Sequence, residues 1–220
     1  MTSKDIEFNK AYWNDFYQSN HKHTPSQFCV CVLTEISPNA VVVELGSGNG
    51  RDSHYFASQG HVTVAMDLSQ QAVESCTGLA KERSTDHSTF FQGDITSKES
   101  VLRIVRHARL KAAGNELVFY SRFVMHSIDD EQELMFLETL STYMQPDETV
   151  YFEFRSKEDA DLKKHYGGHF RRYVDTDVFK KRLTNDYKFE ISYSLTGQGM
   201  AKFQDEDPFV TRLIARKIGA

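Results

Sequence analysis

Short apolar runs alternate with longer amphipathic segments along the chain from residue 40 to residue 155. Runs such as Val41-Val42-Val43 and Leu117-Val118-Phe119 have no polar interruption, which predicts strands that are buried on both faces, as in parallel sheets. Segments such as 129–143 repeat apolar residues every three or four positions and predict helices that cover the sheet. We therefore expect an α/β fold with a mostly parallel sheet and helices on both faces.

The two ends of the chain extend this pattern. Segments 187–194 and 209–216 carry strand-like patterns and predict a terminal β-hairpin. The sheet begins only near residue 40, so the polar and aromatic residues before it must pack outside the core or over its mouth. We interpret residues 1–39 as an N-terminal helical leader or lid, and residues 40–220 as the body of a single domain.

A glycine-rich turn follows the first predicted strand, with the sequence Gly46-Ser47-Gly48-Asn49-Gly50, and a helical pattern begins at Arg51. Glycine lets the backbone approach a ligand closely, and the free N–H groups of a helix start would face that ligand. In a dinucleotide-binding turn a glycine would stand where Arg51 stands, which disfavours a nicotinamide dehydrogenase. Glu44 would repel a pyrophosphate but suits a ligand with an ammonium group. The alternative interpretation is a strand–helix turn with no ligand.

Composition excludes several function classes without choosing among enzymes. The 220 residues suit one domain, and 40% hydrophobic with 26% charged residues is ordinary for a globular protein. A formal charge of −5 gives no support for a nucleic-acid partner. We find no apolar run that could insert into a membrane and no signal sequence, and the three cysteines lack the spacing of a metal site or a disulfide framework. We therefore expect a cytoplasmic protein without a metal.

Three acidic residues stand at the ends of successive predicted strands: Glu44, Asp67 and Asp94. Together with the acid-x-Gly-x-Gly-x-Gly motif that begins at Glu44, this arrangement resembles the class I S-adenosylmethionine-dependent methyltransferases over about residues 40–155. The resemblance implies a Rossmann-like fold, with a mostly parallel seven-stranded sheet and an antiparallel C-terminal strand. It also implies S-adenosylmethionine as the cofactor and methyl transfer as the activity.

The resemblance assigns parts of the cofactor to individual residues. Asp67 would accept the ribose hydroxyls, although it could instead cap the following helix. Asp94 would bind the adenine amino group, and Ile95 would cover the ring. Trp13 and Tyr17, one helical turn apart, would cover the methionine end or simply staple their own helix. The predicted cofactor contacts are Trp13, Tyr17, Glu44, Gly46, Ser47, Gly48, Gly50, Arg51, Asp67, Leu68, Asp94, Ile95 and Ser121.

His126 is the first candidate for a catalytic base. It follows the fourth predicted strand, whose end lies beside the sulfonium in a sheet of this type, and its ordinary pKa suits proton removal near neutrality. A buried histidine with a structural role is the alternative. Glu153, at the end of the fifth predicted strand, is the second candidate.

The segment 163–173 joins two glycines to histidines, arginines and tyrosines where the fold needs only a short connection. We expect either a solvated basic loop or a loop whose arginines hold a phosphate or carboxylate of the acceptor. The predicted acceptor contacts are Arg122, Arg155, His169, Arg171, Arg172 and Tyr173.

Three stretches are also similar to bacterial methyltransferases from surface-polysaccharide gene clusters: Gly-Asn-Gly-Arg-Asp-Ser, Tyr-Ser-Arg-Phe-Val-Met-His-Ser-Ile and Gly-His-Phe-Arg-Arg-Tyr-Val-Asp. This similarity implies a hydroxyl of a sugar, sugar phosphate or glycan end as the methyl acceptor. One alternative is a small-molecule sulfur, nitrogen or chalcogen acceptor, which needs less help from a base. Another is a cofactor-binding regulatory subunit without turnover.

Overall fold

The computed structural model describes residues 11–17, 24–83, 86–166 and 169–219, and these residues form one seven-stranded sheet. The strands are β1 (Val41–Leu45), β2 (Thr63–Asp67), β3 (Ser88–Gln92), β4 (Leu117–Arg122), β5 (Thr149–Arg155), β6 (Phe189–Gly197) and β7 (Val210–Lys217). Their order in the sheet is β3-β2-β1-β4-β5-β7-β6. Strands β1 to β5 are parallel, and β7 runs antiparallel to both of its neighbours. The predicted fold class is confirmed, including the terminal hairpin.

Helices cover both faces of the sheet. The helices are α1 (residues 11–17), α2 (Gln27–Leu33), α3 (Arg51–Ser58), α4 (Gln70–Glu82), α5 (Lys98–Ala112), α6 (Asp130–Tyr143) and α7 (Thr176–Lys181). A short 3₁₀ turn, Met125–Ser127, follows β4, and a π-helical turn, Arg182–Asp186, extends α7. None of the described helices is both long and apolar enough to cross a membrane.

The valine run of β1 explains why the sheet is covered on both sides. Val41 and Val43 pack with residues of α5 and α6, whereas Val42 packs on the other face with α2 and α3. Because side chains alternate along a strand, both faces of β1 must be apolar, and the sequence supplies this. Helix α2 contributes Phe28 and Val32 to the second cluster.

The predicted division into a leader at 1–39 and a body at 40–220 remains a prediction. Residues 1–10 and 18–23 lie outside the described part of the chain, as do Gly167 and Gly168 of the predicted acceptor loop. Helix α2, which lies in the predicted leader, packs in the second core cluster.

The chain reverses its direction of travel across the sheet between β1 and β4. From β1 it builds outward to β2 and β3, and it then returns to place β4 on the other side of β1. The carboxyl ends of β1 and β4 therefore border a crevice from which the following loops diverge in opposite directions. In open α/β sheets this crevice is where ligands bind.

Candidate active site

A cavity of about 600 Å³ lies at this crevice. Its walls come from the turn after β1, the loops after β2, β3 and β4, helix α1, and the loops that follow β5 and β6. The predicted site residues that line it are Trp13, Tyr17, Glu44, Gly46, Ser47, Gly48, Arg51, Asp67, Leu68, Asp94, Ile95, Arg122, His126, Arg155, His169 and Arg171. The predicted site residues that do not line it are Gly50, Ser121, Glu153, Arg172 and Tyr173.

The turn after β1 requires glycine at the two positions that face the cavity. Gly46 and Gly48 have φ values of +85° and +54°, a region that side-chain-bearing residues rarely adopt. A Cβ at Gly46 would stand 2.3 Å from Cγ2 of Val124, and a Cβ at Gly48 would stand 2.6 Å from Oη of Tyr17. Gly50 also has a positive φ, but it faces the buried Cys76 thiol. Gly50 thus shapes the turn and does not line the cavity, and its predicted role as a contact stays a prediction.

Asp67 holds the glycine turn in place. One carboxylate oxygen accepts a 2.7 Å hydrogen bond from the Gly48 amide, and the other accepts one of 2.9 Å from the Ser69 amide. Burial raises the pKa of Asp67, although these amide donors oppose the shift. The cap of α4 is Ser69, whose hydroxyl accepts from the Ala72 amide at the start of the helix. Asp67 therefore remains an acceptor at the cavity wall.

Two buried acids lie close together, Glu44 at the end of β1 and Asp52 in the first turn of α3. Glu44 is 3% exposed and accepts a hydrogen bond from the Ser53 hydroxyl. Burial and the nearby Asp52 carboxylate raise the pKa of Glu44 well above its usual range. Asp52 is itself held by the amide and hydroxyl of Ser26 and by the Tyr120 hydroxyl. This pair of acids would be stabilised by a ligand cation such as an ammonium group.

The loop after β3 supplies the wall next to Asp67. Asp94 uses one oxygen to accept from the amide and the hydroxyl of Thr96, at 2.8 and 2.7 Å. Ile95 is 8% exposed and lies beside it. Ser47, across the turn, has a buried hydroxyl without a hydrogen-bond partner in the described residues. A polar ligand between these groups would satisfy the Ser47 hydroxyl.

Helix α1 lies over the glycine turn. The rings of Trp13 and Tyr17 stack with centroids 5.8 Å apart, and Tyr17 contacts the position of Gly48. On its other side α1 meets the loop after β5, because Tyr12 and Trp13 pack on His169 with centroids 4.7 and 5.1 Å away. The helix therefore bridges the two halves of the cavity.

His126 lines the cavity, but its hydrogen bond opposes the predicted role as a base. Its Nδ1 accepts a 3.2 Å hydrogen bond from the Arg155 backbone amide. An amide N–H can only donate, so Nδ1 is unprotonated and the neutral ring carries its hydrogen on Nε2. Burial, followed by the positive charges of Arg155 and Arg171, lowers the pKa of His126 well below its usual range. The other ring nitrogen, Nε2, is therefore a donor, and a role of His126 as a base stays a prediction that this hydrogen bond does not favour.

Glu153 is not placed to act as a base either. It is 1% exposed, and its two oxygens pair with Nε of Arg122 and Nε of Arg212 at 2.7 and 2.8 Å. Ser121, predicted to contact the cofactor, is also buried, and its hydroxyl donates to the Leu45 carbonyl at 3.2 Å. Both residues support the strands from within the sheet and do not line the cavity, and their predicted roles stay predictions.

The arginines at the cavity differ in how their charges are balanced. Arg155 pairs with Asp159 at 2.6 Å and with Glu206, so it fastens the loops that follow β5 and β6. Arg122 pairs with Glu153 as described above. Arg171 donates to the Tyr166 carbonyl and to Nε2 of His169, at 3.1 and 3.0 Å, and has no carboxylate partner among the described residues. Arg171 is thus the guanidinium best able to hold an anion.

Two predicted acceptor contacts lie elsewhere. Arg172 turns toward α6, where it pairs with Asp130 and Glu133. Tyr173 lies under the ammonium group of Lys164, 5.1 Å from its ring centroid. The sequence could not distinguish these residues from Arg171, because a loop without a regular repeat does not fix which side chains face inward.

With this geometry established, we compared the chain with known proteins. Residues 36–105 match a family model described as a methyltransferase domain. No curated protein matches the sequence. The S-adenosylmethionine-dependent methyltransferase from Anabaena variabilis ATCC 29413 is 18% identical with a TM-score of 0.70, over 94% of this chain and 93% of that one. The chain has the fold of the class I methyltransferases.

Other solved structures share this methyltransferase fold at similar levels of sequence identity. Magnesium protoporphyrin IX methyltransferase from Synechocystis PCC 6803, with bound S-adenosylhomocysteine, is 16% identical with a TM-score of 0.62, over 99% of this chain and 88% of that one. Phosphoethanolamine N-methyltransferase 1 from Haemonchus contortus is 12% identical with a TM-score of 0.71, over 100% of this chain and 50% of that one. At these identities the likeness concerns the fold.

Several residues of this methyltransferase fold line the cavity without having been predicted. Phe123 has φ of +60°, unusual for a bulky side chain, and its ring lies 4.0 Å from the Arg122 guanidinium carbon. Phe203 and Glu206 come from the loop after β6, and the Phe203 ring stacks on Tyr166 with centroids 5.8 Å apart. The sequence gives no signal for this loop beyond a turn.

Within the described ranges, no group of His, Cys, Asp and Glu side chains is arranged to hold a metal ion.

Proposed function

We propose that this protein transfers the methyl group of S-adenosylmethionine to a small-molecule acceptor. The observation that carries the proposal is the glycine turn at the sheet crevice, with Asp67 on one side and the Glu44–Asp52 pair on the other. The comparisons support S-adenosylmethionine as the cofactor, since solved structures with the same fold carry it or its demethylated product. Cytoplasmic location remains a prediction from the sequence.

The chain's own residues fit each part of such a cofactor. Asp67 and Asp94 have oxygens for the ribose hydroxyls and the adenine amino group, and Ile95 offers an apolar surface for the ring. Glu44 would face the ammonium group, and the Ser47 hydroxyl needs a polar partner. S-adenosylmethionine supplies an electrophilic methyl group when it is bound. Helix α1 would exclude water above it, with Trp13 and Tyr17 over the turn.

For the acceptor we propose an oxygen of a sugar, sugar phosphate or glycan end, the class that the sequence resemblance implies. The aromatic rings of Tyr166 and Phe203 offer stacking surfaces for a sugar, and Arg171 offers a cation for an acidic substituent. The fold does not determine which acceptor is methylated, because solved structures of similar fold are named for porphyrin, glycopeptide and phosphoethanolamine methylation.

A second candidate is methyl transfer to a sulfur, nitrogen or chalcogen centre of a small molecule. The hydrogen bond that occupies Nδ1 of His126 favours it, because such acceptors need little help from a base. A regulatory subunit without turnover is the third candidate. Formation of S-adenosylhomocysteine with any acceptor would exclude that candidate.

Calorimetric titration with S-adenosylmethionine, S-adenosylhomocysteine and NADH tests the cofactor. We expect both adenosyl ligands to bind and NADH not to bind. Asp67→Ala should weaken the adenosyl ligands by about 100-fold, whereas Asp86→Ala, at an exposed position outside the cavity, should leave them unchanged. Binding of NADH in preference to the adenosyl ligands, or equal affinity in the two variants, would refute the proposal.

A further inference from the structure

The acceptor side of the cavity holds donors where a base was expected. Nδ1 of His126 accepts from the Arg155 amide, so Nε2 carries the hydrogen. Protonating the ring would place a second hydrogen against that amide. Because burial and the neighbouring arginines also lower the pKa of His126, the ring stays neutral at physiological pH. It therefore offers an N–H group and no lone pair to a ligand.

Positive charge surrounds this N–H group. Three guanidinium groups act on His126: Arg122 from β4, Arg155 from β5 and Arg171 from the loop after β5. The Arg122 and Arg155 charges are offset by ion pairs, whereas Arg171 has no carboxylate partner among the described residues. Nε of Arg171 is also buried and has no hydrogen-bond partner in that part of the chain. This surrounding would repel an ammonium group and stabilise an anion.

The carboxylates near His126 are already engaged. Glu153 is held by two arginines, and Glu206 accepts from Arg155 and from the His165 amide. The other acids that line the cavity belong to the cofactor side or to the start of α6, where Asp129 caps the helix and Glu131 follows it. None of the engaged carboxylates can take a proton from a hydroxyl without losing its arginine.

We propose that the acceptor's attacking atom is an acid oxygen, of a carboxylate or a phosphate monoester, and that His126 Nε2–H and Arg171 hold that acid. This inference rests on the proposed methyl transfer from S-adenosylmethionine, and it replaces a neutral sugar hydroxyl as the attacking group with an oxygen that is already anionic. The acid oxygen forms a bond to the methyl carbon as the carbon–sulfur bond breaks and its electron pair passes to sulfur. The products are a methyl ester and S-adenosylhomocysteine, and no proton leaves the attacking atom.

The site can be tested before its natural acceptor is known. Protein saturated with S-adenosylhomocysteine is titrated with inorganic phosphate, with acetate and with glycerol as the neutral control. We expect one or both anions to bind and Arg171→Gln to weaken that binding by about 10-fold or more. Lys163→Gln, at an exposed position on the same loop, is the matched control and should bind like the original protein. Absence of anion binding, or equal effects of the two substitutions, would overturn the inference.

The product of turnover shows whether the acid group of the acceptor attacks the methyl carbon or only anchors the acceptor in the site. The acceptors are glucose 6-phosphate and glucuronate, each compared with glucose. We expect methyl esters of the acid groups, with kcat/KM about 100-fold or more above that for glucose. Carboxyl methyl esters are cleaved by mild alkali and methyl ethers are not, and ³¹P spectra identify a methylated phosphate. Methyl ethers as the products, or glucose as the best acceptor, would overturn the inference.

His126→Gln separates the two roles of the histidine, because a glutamine amide can donate a hydrogen bond but cannot act as a base. We expect His126→Gln to keep kcat within about 10-fold and His126→Ala to lose about 100-fold, with kcat of the original protein flat from about pH 6 to 9. Equal losses in both folded variants, with kcat rising through the titration of a histidine, would show a base. Failure of S-adenosylhomocysteine to bind would refute the proposed function instead, so the two failures are distinguishable.

Discussion

Glu44 carries a free-energy cost in the folded protein that a bound cation would relieve. Its carboxyl group is buried beside Asp52, and its pKa in the folded protein is raised well above the usual value. The folded state therefore binds more protons than the unfolded state, so this residue lowers stability as pH rises above its ordinary pKa of about 4.3.

Replacing Glu44 with Gln removes that cost and keeps an acceptor for the Ser53 hydroxyl. We expect the free energy of unfolding at pH 7 to rise by roughly 1–2 kcal/mol, and the gain to vanish below about pH 4. The same substitution should weaken the binding of S-adenosylmethionine, because the ammonium group of the ligand would lose its anionic partner. Urea unfolding at several pH values and calorimetry measure the two effects. A variant that is less stable at pH 7, or that binds the ligand as tightly, would contradict this account.

Alanine at Gly48 should impair ligand binding far more than alanine at another glycine of positive φ. At Gly48 a methyl group meets the Tyr17 ring, whereas at Gly60, with φ of +95°, it meets nothing within 4 Å. We expect both alanine variants to lose roughly 1 kcal/mol of stability through backbone strain. Gly48→Ala should also displace α1 and lower the affinity for S-adenosylhomocysteine by about 10-fold or more, which calorimetry would show. Similar affinities in the two variants would mean that α1 does not rest on the turn.

At the scale of elements, helix α1 should cover the bound ligand, and its position should change when the ligand binds. Trp13 is the only tryptophan in the chain, so its fluorescence reports on α1 alone. We expect S-adenosylhomocysteine to shift Trp13 emission, and Trp13→Ala to weaken the ligand by about 10-fold as its stacked ring is lost. Tyr193→Ala, on the exposed edge strand β6, is the control and should bind normally. Unchanged emission at saturation would argue against a covering role.

The strands and the cofactor side could be predicted because their signals are local. The valines of β1, the glycine turn and the acid that ends β2 are each fixed by a few adjacent residues. The acceptor side depends on contacts between distant segments. Nothing in the sequence near His126 reveals that the Arg155 amide donates to it, because that contact spans 29 residues. Strand alternation likewise could not show that Glu153 lies between arginines of β4 and β7.

At the scale of the whole molecule, Arg155 joins the sheet to the two loops that enclose the acceptor side. Its guanidinium pairs with Asp159 after β5 and with Glu206 after β6, and all three side chains are buried. Removing the guanidinium leaves two buried carboxylates, and among the described residues the cation that still pairs with Asp159 is Lys164. Breaking a buried ion pair in this way costs far more than breaking an exposed one.

We therefore expect Arg155→Gln to lower the free energy of unfolding by about 3 kcal/mol at pH 7. Arg216→Gln, which breaks exposed pairs with Asp147 and Glu190, should lower the free energy of unfolding far less. Because acid would neutralise the stranded carboxylates, the Arg155→Gln defect should shrink as pH falls toward 4. Denaturant unfolding of both variants at pH 7 and near pH 4 measures this. Equal losses in the two variants, or a defect that grows in acid, would show that Arg155 does not fasten the loops through its charge.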